Sequence, residues 1–389
     1  MNRCLACGHL VSRQLFNPGP QPLSALNLPR SESEAVDANR FPMNFRCCGI
    51  CGHVWNTDFE YTKVPYAGDS NLMYNSGALW QDHMQMLVSK LAENKAMWVK
   101  NPVIDIGCGD GQFLSLLLKA VPEAKCVGFE PGIDGTKITE FECVQDYFRP
   151  ERDIAARQPS LLICRHVLEH IADPRDFIAS VAYWCGQCSV ATVFLAEVPC
   201  CEKALESGRV SDFLYEHVSN FTLNSLYAMF GTSGFKLLET SRLYGDEVVV
   251  GFFQPHEEAL KQNHRSMLKF STYVQDSRTN IQLKQSNLDG DVVLWGGTGK
   301  SAAFLNMFGF DADRFPVVVD SDPLKVGRYV PGTGQRIDSP DSLVGRTPTI
   351  IITTAWRAND IYAEINRRGI RYKSLLVLKD GDLNEYTQS

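Results

Sequence analysis

No apolar run in this chain approaches the ~20 residues that cross a bilayer, so no membrane span is expected. Positive charge is not in excess either. There are 38 Lys and Arg against 45 Asp and Glu, a net charge of −7, which leaves no basic footprint for a nucleic-acid polymer. The opening Met-Asn-Arg-Cys-Leu-Ala-Cys lacks the apolar core of a signal peptide, and the chain reads as soluble and cytoplasmic. Disulfides are rare in that compartment, so the 13 cysteines are expected as metal ligands and core thiols. Two nucleotide fingerprints are also missing. Gly299-Lys300-Ser301 imitates a P-loop, but the glycine needed five positions before Gly299 is Leu294. In Gly107-Cys-Gly109-Asp-Gly111 the third glycine comes one residue early for a dinucleotide motif, and Asp105 and Asp110 would repel a pyrophosphate.

What is present organises itself around Val103 to Phe113. An apolar, β-branched strand enters three alternating glycines and then Phe113-Leu-Ser-Leu-Leu-Leu118, the pattern of strand, tight turn and helix. Glycine is needed where the backbone takes positive φ or a ligand lies against it, so the turn is expected to hold a ligand at the carboxyl end of a strand. The acids flanking it suit a cationic ligand. About 20 residues on, Glu130-Pro131 closes a second strand (Ala124 to Phe129), where folds of this kind place ribose hydroxyls. Asp105, Gly107, Gly109, Gly111 and Glu130 together resemble the class I S-adenosylmethionine-dependent methyltransferases, whose cofactor carries positive sulfonium and amino groups.

At the N-terminus Cys4-Leu-Ala-Cys7 and Cys48-Gly-Ile-Cys51 form two Cys-x-x-Cys knuckles, the usual arrangement of a tetrahedral structural zinc. The proline-rich stretch between them is too short for its own core, and a metal would supply stability. Cys47 is an alternative to Cys48, and His53 is within reach. A third pair, Cys185-Gly-Gln-Cys188, falls between a helix and a strand, the wrong place for a redox dithiol, and is expected as an ordinary turn.

Several further stretches are expected to surround the glycine loop. Residues 58 to 77 are irregular and rich in tyrosine (Tyr61, Tyr66, Tyr74), a candidate lid, followed by an amphipathic helix from Ala78 to Trp98. Asp146-Tyr147 follows a short strand and is assigned to the adenine. Leu161 to Pro174 carries His166 and His170 after the fourth strand, and Glu197 ends the fifth. Tyr215-Glu216-His217 then sets a phenol, a carboxylate and an imidazole ahead of a helix near Asn224. His217 is the favoured proton acceptor, with Tyr215 and His170 as alternatives.

The order of these parts, with Gln21-Pro22-Leu23-Ser24 between the knuckles, resembles the sugar C-methyltransferases over essentially the whole chain. The resemblance implies three α/β-type parts: a zinc-binding domain at 1–65, a methyltransferase domain at 66–255, and, beyond a helical connector at 256–288, a Rossmann-like domain at 289–389. It implies S-adenosyl-L-methionine and Zn2+ as cofactors. The implied reaction is methylation at C-3 of a dTDP-4-keto-deoxysugar through an enolate, with His217, Tyr215, Glu216, His170 and Tyr74 around the reacting carbon. Glu197, Lys300, Ser301, Asp320, Lys325 and Trp356 are then the implied contacts to the nucleotide-sugar. The family's Tyr-Asp-Glu-His is Leu214-Tyr215-Glu216-His217 here, and its Trp-Asn is Trp356-Arg357. The alternatives are an O- or N-methyltransferase and a non-catalytic nucleotide-sugar-binding protein. The oligomeric state is not legible.

Overall fold

Two compact units, 1–262 and 263–389, divide the chain in a computed structural model. It describes residues 3–24, 29–66, 77–133, 138–379 and 381–387, with the side chains of 257–264 left aside. Tyr74 lies outside the described residues.

The first unit is built on a seven-stranded sheet. Its order is Phe235–Leu243, Val248–Pro255, Val193–Pro199, Leu161–Arg165, Val103–Ile106, Cys126–Phe129 and Glu142–Val144. Val248–Pro255 is antiparallel to both neighbours and the other strands run parallel. Near-continuous Val, Ile and Leu in the central strands matches a sheet buried on both faces. Helices Ala78–Glu93 and Gln112–Ala120 cover one face through Met84, Leu87, Leu91, Leu114 and Leu117, each no more than 3% exposed. Helices Pro150–Arg157, Pro174–Gln187 and Leu223–Thr232 cover the other. Strand order reverses between Val103–Ile106 and Leu161–Arg165, and the crevice at that switch point is where ligands of such sheets bind.

Helix boundaries follow from their caps. Asp173 accepts from the Asp176 amide with Pro174 at the first helical position, and Thr222 and Ser225 form a reciprocal capping box. The helix expected to reach Trp98 stops at Glu93. Asn94 caps it, a 3-10 turn Lys95–Met97 follows, and the Trp98 indole turns back to donate to the Leu91 carbonyl.

Residues 1–65 are not separate from this unit. A four-stranded antiparallel sheet runs Ser12–Phe16, Phe45–Cys48, Val54–Asn56 and then Ser219–Asn220, so its last strand comes from between the central strands Val193–Pro199 and Phe235–Leu243. Phe45, Phe16 and Phe213 pack together across that junction.

The second unit carries a six-stranded sheet, Ile337–Asp338, Val317–Val319, Val292–Trp295, Thr349–Ile352, Ser374–Lys379 and Asp382–Glu385, parallel except for the last strand. The expected polar connector is one helix, Glu257–Ser286. No described helix is long and apolar enough to cross a membrane.

Candidate active site

A cavity of about 460 Å³ opens at the carboxyl ends of the central strands. Its floor is the glycine loop. Gly107, Gly109 and Gly111 have φ of +74°, +55° and +81°. A Cβ on Gly107 would stand 2.3 Å from Val167 Cγ2, so any other residue there is strained by its backbone angle and requires Val167 to shift. The turn is tied to the second strand by Gly107 and Cys108 amides donating to the Phe129 carbonyl, at 2.8 and 3.1 Å. Glu130 accepts from the Gly109 amide at 3.2 Å and the Gly132 amide at 3.0 Å, which fixes its carboxylate at the rim with lone pairs to spare. Pro131, Tyr147 and Phe148 continue that wall. Asp146 is not on it: its carboxylate is taken by Arg152 at 2.8 Å.

The opposite end is strongly charged. Asp105 is buried, its Oδ1 has no partner among the described residues, and burial, opposed by Arg165, raises its carboxyl to about 7. A buried carboxylate with an unused oxygen facing a cavity is a demand for a cation. Arg165 lies against the Phe113 ring, 4.3 Å from its centroid, and bonds Glu197 at 3.0 Å. Glu197 does not line the cavity. It is fully buried and accepts as well from His166 Nε2 at 2.8 Å and His83 Nε2 at 3.0 Å. Burial works to raise the Glu197 carboxyl, but Arg165 with His166 and His83 holds it well below the usual range. Burial likewise opposes charge on His166, yet Glu169 and Glu197 win and lift it to about 9. His166 adopts φ +54°, rare for a non-glycine residue.

His170 lines the cavity on the 3-10 turn Leu168–His170. Its Nδ1 lies 2.9 Å from the Glu216 carbonyl, which can only accept, so that nitrogen carries hydrogen and Nε2 is left as the acceptor in the neutral ring. His217 stands behind it, off the cavity wall, with ring centroids 4.9 Å apart in an edge-to-face contact. Burial and the neighbouring His170 lower His217 to about 3, with Glu169 pulling the other way. The Glu216 carboxylate accepts from the Ser24 amide at 2.6 Å and its carbonyl from the Tyr66 hydroxyl at 2.7 Å. Tyr215 points elsewhere: it is 1% exposed, packs on Phe41 and Phe59, and accepts from the Glu60 amide at 3.0 Å. His83, Arg165 and Glu169 were not singled out from the sequence. The visible signal was an arginine and a Glu-His pair directly after an apolar strand.

The four cysteines Cys4, Cys7, Cys48 and Cys51 are buried together with their sulfurs all within 4.8 Å. Cys4 to Cys51 and Cys7 to Cys48 are each 3.6 Å, too long for a disulfide. Zn–S bonds of about 2.3 Å in a tetrahedron require sulfurs ~3.8 Å apart, so this donor set fits one zinc ion. Strand alternation turns Cys47 away from Cys48, and His53 bonds Ser219 at 3.2 Å, so neither belongs to the group.

In the second unit Val292–Trp295 ends in a glycine turn that starts helix Lys300–Phe308. Asp320, at the end of the next strand, accepts from the Gly297 amide at 3.1 Å and from Lys325 at 3.2 Å. Lys300 lies 5.9 Å above the exposed Trp356 ring, whereas Ser301 is buried.

Comparison with known proteins fits this geometry. Residues 79–240 match the family described as a methyltransferase domain, and residues 246–374 the C-methyltransferase C-terminal domain. The C-methyltransferase NovU of Streptomyces niveus is 25% identical over 390 residues, 92% of this chain and 90% of that protein. By these matches the chain is similar to C-methyltransferases over most of its length. The same matches support an S-adenosylmethionine-dependent methyltransferase, and the non-catalytic alternative is set aside. Solved structures with which it shares only limited similarity include the N,N-8-amino-8-demethyl-D-riboflavin dimethyltransferase RosA of Streptomyces davawensis, at 18% identity and TM-score 0.33. That match covers 45% of this chain and 57% of RosA. Another is an O-methyltransferase family protein of Burkholderia thailandensis, at 12% identity and TM-score 0.34, covering 45% of this chain and 58% of the other. The chain thus spans a little over half the length of either.

Proposed function

We propose that this C-methyltransferase acts on a nucleotide-linked 4-keto-deoxysugar, taking a proton from C-3 and methylating the enolate. The observation that carries the reading is the His170–His217 pair, with His170 on the cavity wall and His217 in edge contact behind it. A carbon acceptor needs a base beside the methyl donor, which an oxygen or nitrogen nucleophile needs far less.

S-adenosylmethionine supplies an electrophilic methyl group on a positively charged sulfonium. Glu130 receives the ribose hydroxyls, Tyr147 and Phe148 flank the adenine, and Asp105 answers the positive methionine end. The His170–His217 pair accepts the proton: His170 lines the cavity with its tautomer set by the Glu216 carbonyl, and His217 stands neutral behind it. Base catalysis of this type is worth about 10² to 10⁴-fold, and orienting the reacting carbon contributes up to ~7 to 11 kcal/mol in favourable cases. The second unit, taken by itself, offers the parts of a nucleotide site in the glycine turn with Asp320, Lys300 and Trp356: a carboxylate for ribose hydroxyls, a cation for phosphate and an indole for stacking. One zinc bound by Cys4, Cys7, Cys48 and Cys51 is structural, since all four sulfurs are ligands and no open position remains.

The test is a mass-spectrometric screen of dTDP-4-keto sugars with S-adenosylmethionine, followed by NMR of the product. A new C-linked methyl beside the ketone is expected. A methyl on oxygen or nitrogen, or no turnover with any keto sugar, would refute the substrate class.

A further inference from the structure

Glu169 differs from the other acids near the cavity. It is 1% exposed, and its Oε2 has no hydrogen-bond partner among the described residues. Its nearest cation is His166, whose Nδ1 lies 3.6 Å from Oε1, and that ring already gives Nε2 to Glu197 at 2.8 Å. Leaving an ionised carboxylate buried with one oxygen unused is costly unless positive charge arrives there. The place where it can arrive is adjacent. One nitrogen each of His170 and His217 and one oxygen of Glu169 lie within 4.8 Å of one another.

The imidazole pair has a matching need. His217 is half-buried and in edge contact with His170, 4.9 Å between ring centroids; desolvation with the neighbouring His170 and His166 disfavours its charged form, and Glu169 pulls the other way. A ring that burial keeps neutral is a slow acceptor of a carbon-bound proton unless the imidazolium it becomes is stabilised. Glu169 is drawn toward its charged form by His166, His170 and His217 together.

We propose that Glu169 is the positioning residue for proton abstraction: its unused carboxylate oxygen receives the imidazolium formed on the His170–His217 pair and holds that ring toward the substrate. The C-3 hydrogen leaves as a proton, its electron pair stays on carbon as the enolate, an N–H bond forms on the imidazole, and Glu169 remains ionised throughout. The inference rests on the reading of the His pair as the base.

The experiment follows that proton alone. A dTDP-4-keto-deoxysugar deuterated at C-3 is incubated with the enzyme and S-adenosylhomocysteine, so that no methyl is transferred, and washout of deuterium is followed by NMR. Wild type is expected to exchange. Glu169→Gln should exchange at least about tenfold more slowly, while S-adenosylhomocysteine affinity stays within about twofold. Glu169→Asp keeps the charge but withdraws it by one methylene and should fall between. Absence of exchange in wild type would remove the base reading itself. Exchange in wild type with an equal rate in Glu169→Gln would overturn the role of Glu169 alone, as would a loss of cofactor affinity in proportion to the loss of exchange. If Glu169→Gln does not fold, Glu169→Asp decides, and a wild-type rate there overturns the proposal. Elemental analysis covers the rival use of these three groups: two metal ions in wild type and one in Glu169→Gln would replace the positioning role by a metal site.

Discussion

His170 Nδ1 donates to the backbone carbonyl of Glu216 across 2.9 Å, which joins the turn after the fourth central strand to the Tyr-Glu-His segment. That bond and the edge contact of the two rings hold His170 and His217 against each other. His217→Asn is expected to lower turnover at least about a hundredfold, with S-adenosylmethionine affinity little changed. Steady-state kinetics and calorimetry on His217→Asn and His170→Asn check it. If His217→Asn turns over like wild type while His170→Asn does not, the acceptor is His170.

Much of this was readable in order along the chain because it is local. Three glycines with positive φ, the acid ending the next strand, and two Cys-x-x-Cys pairs each announce their conformation within a few residues. The remainder depends on pairs far apart in sequence. His83 reaches Glu197 across 114 positions, so an acid assigned to the substrate is consumed inside the protein. Tyr215 resembles a catalytic phenol in the motif, yet its ring is drawn into the aromatic cluster of Phe41 and Phe59. Asp146 looked free for the adenine until the helix after it presented Arg152. No periodicity encodes such competition for partners.

The cofactor loop makes a sharp demand. Gly107→Val places a β-branched side chain at φ +74° and against Val167, and Glu130→Ala removes the carboxylate that the Gly109 and Gly132 amides hold at the rim. Each should weaken S-adenosylmethionine binding by more than about 1.4 kcal/mol, tenfold in Kd. Calorimetry showing wild-type affinity in either folded variant would remove the loop from the binding site.

The cysteine cluster predicts stoichiometry. Elemental analysis should give one zinc per chain, retained in Cys47→Ser and lost in Cys48→Ser. A full zinc complement in Cys48→Ser would refute the ligand set.

His166 predicts a slope of stability with pH. Its ring is held at about 9 against an ordinary 6.5, so its folded-state interactions contribute fully below about 6.5 and fade as pH rises through 9. Asp105, at about 7, has largely ionised before that range ends. In the ligand-free protein the melting temperature should fall by several degrees from neutral pH to about 9. Melts of His166→Asn should lose that part of the decline; an unchanged slope would mean that His166 is not charged in the folded protein.

The sheet that Val54–Asn56 shares with Ser219–Asn220 also dictates an order of events during synthesis. The N-terminal strands leave the ribosome first, yet their edge finds its partner only after the intervening strands and helices have been made. At about 5 to 20 residues per second the cysteine-bearing segment waits many seconds with an open edge. The beginning of the polypeptide is therefore among the last parts of the first unit to be finished, and a chain truncated before Ser219 would keep its knuckles but leave them on an incomplete scaffold.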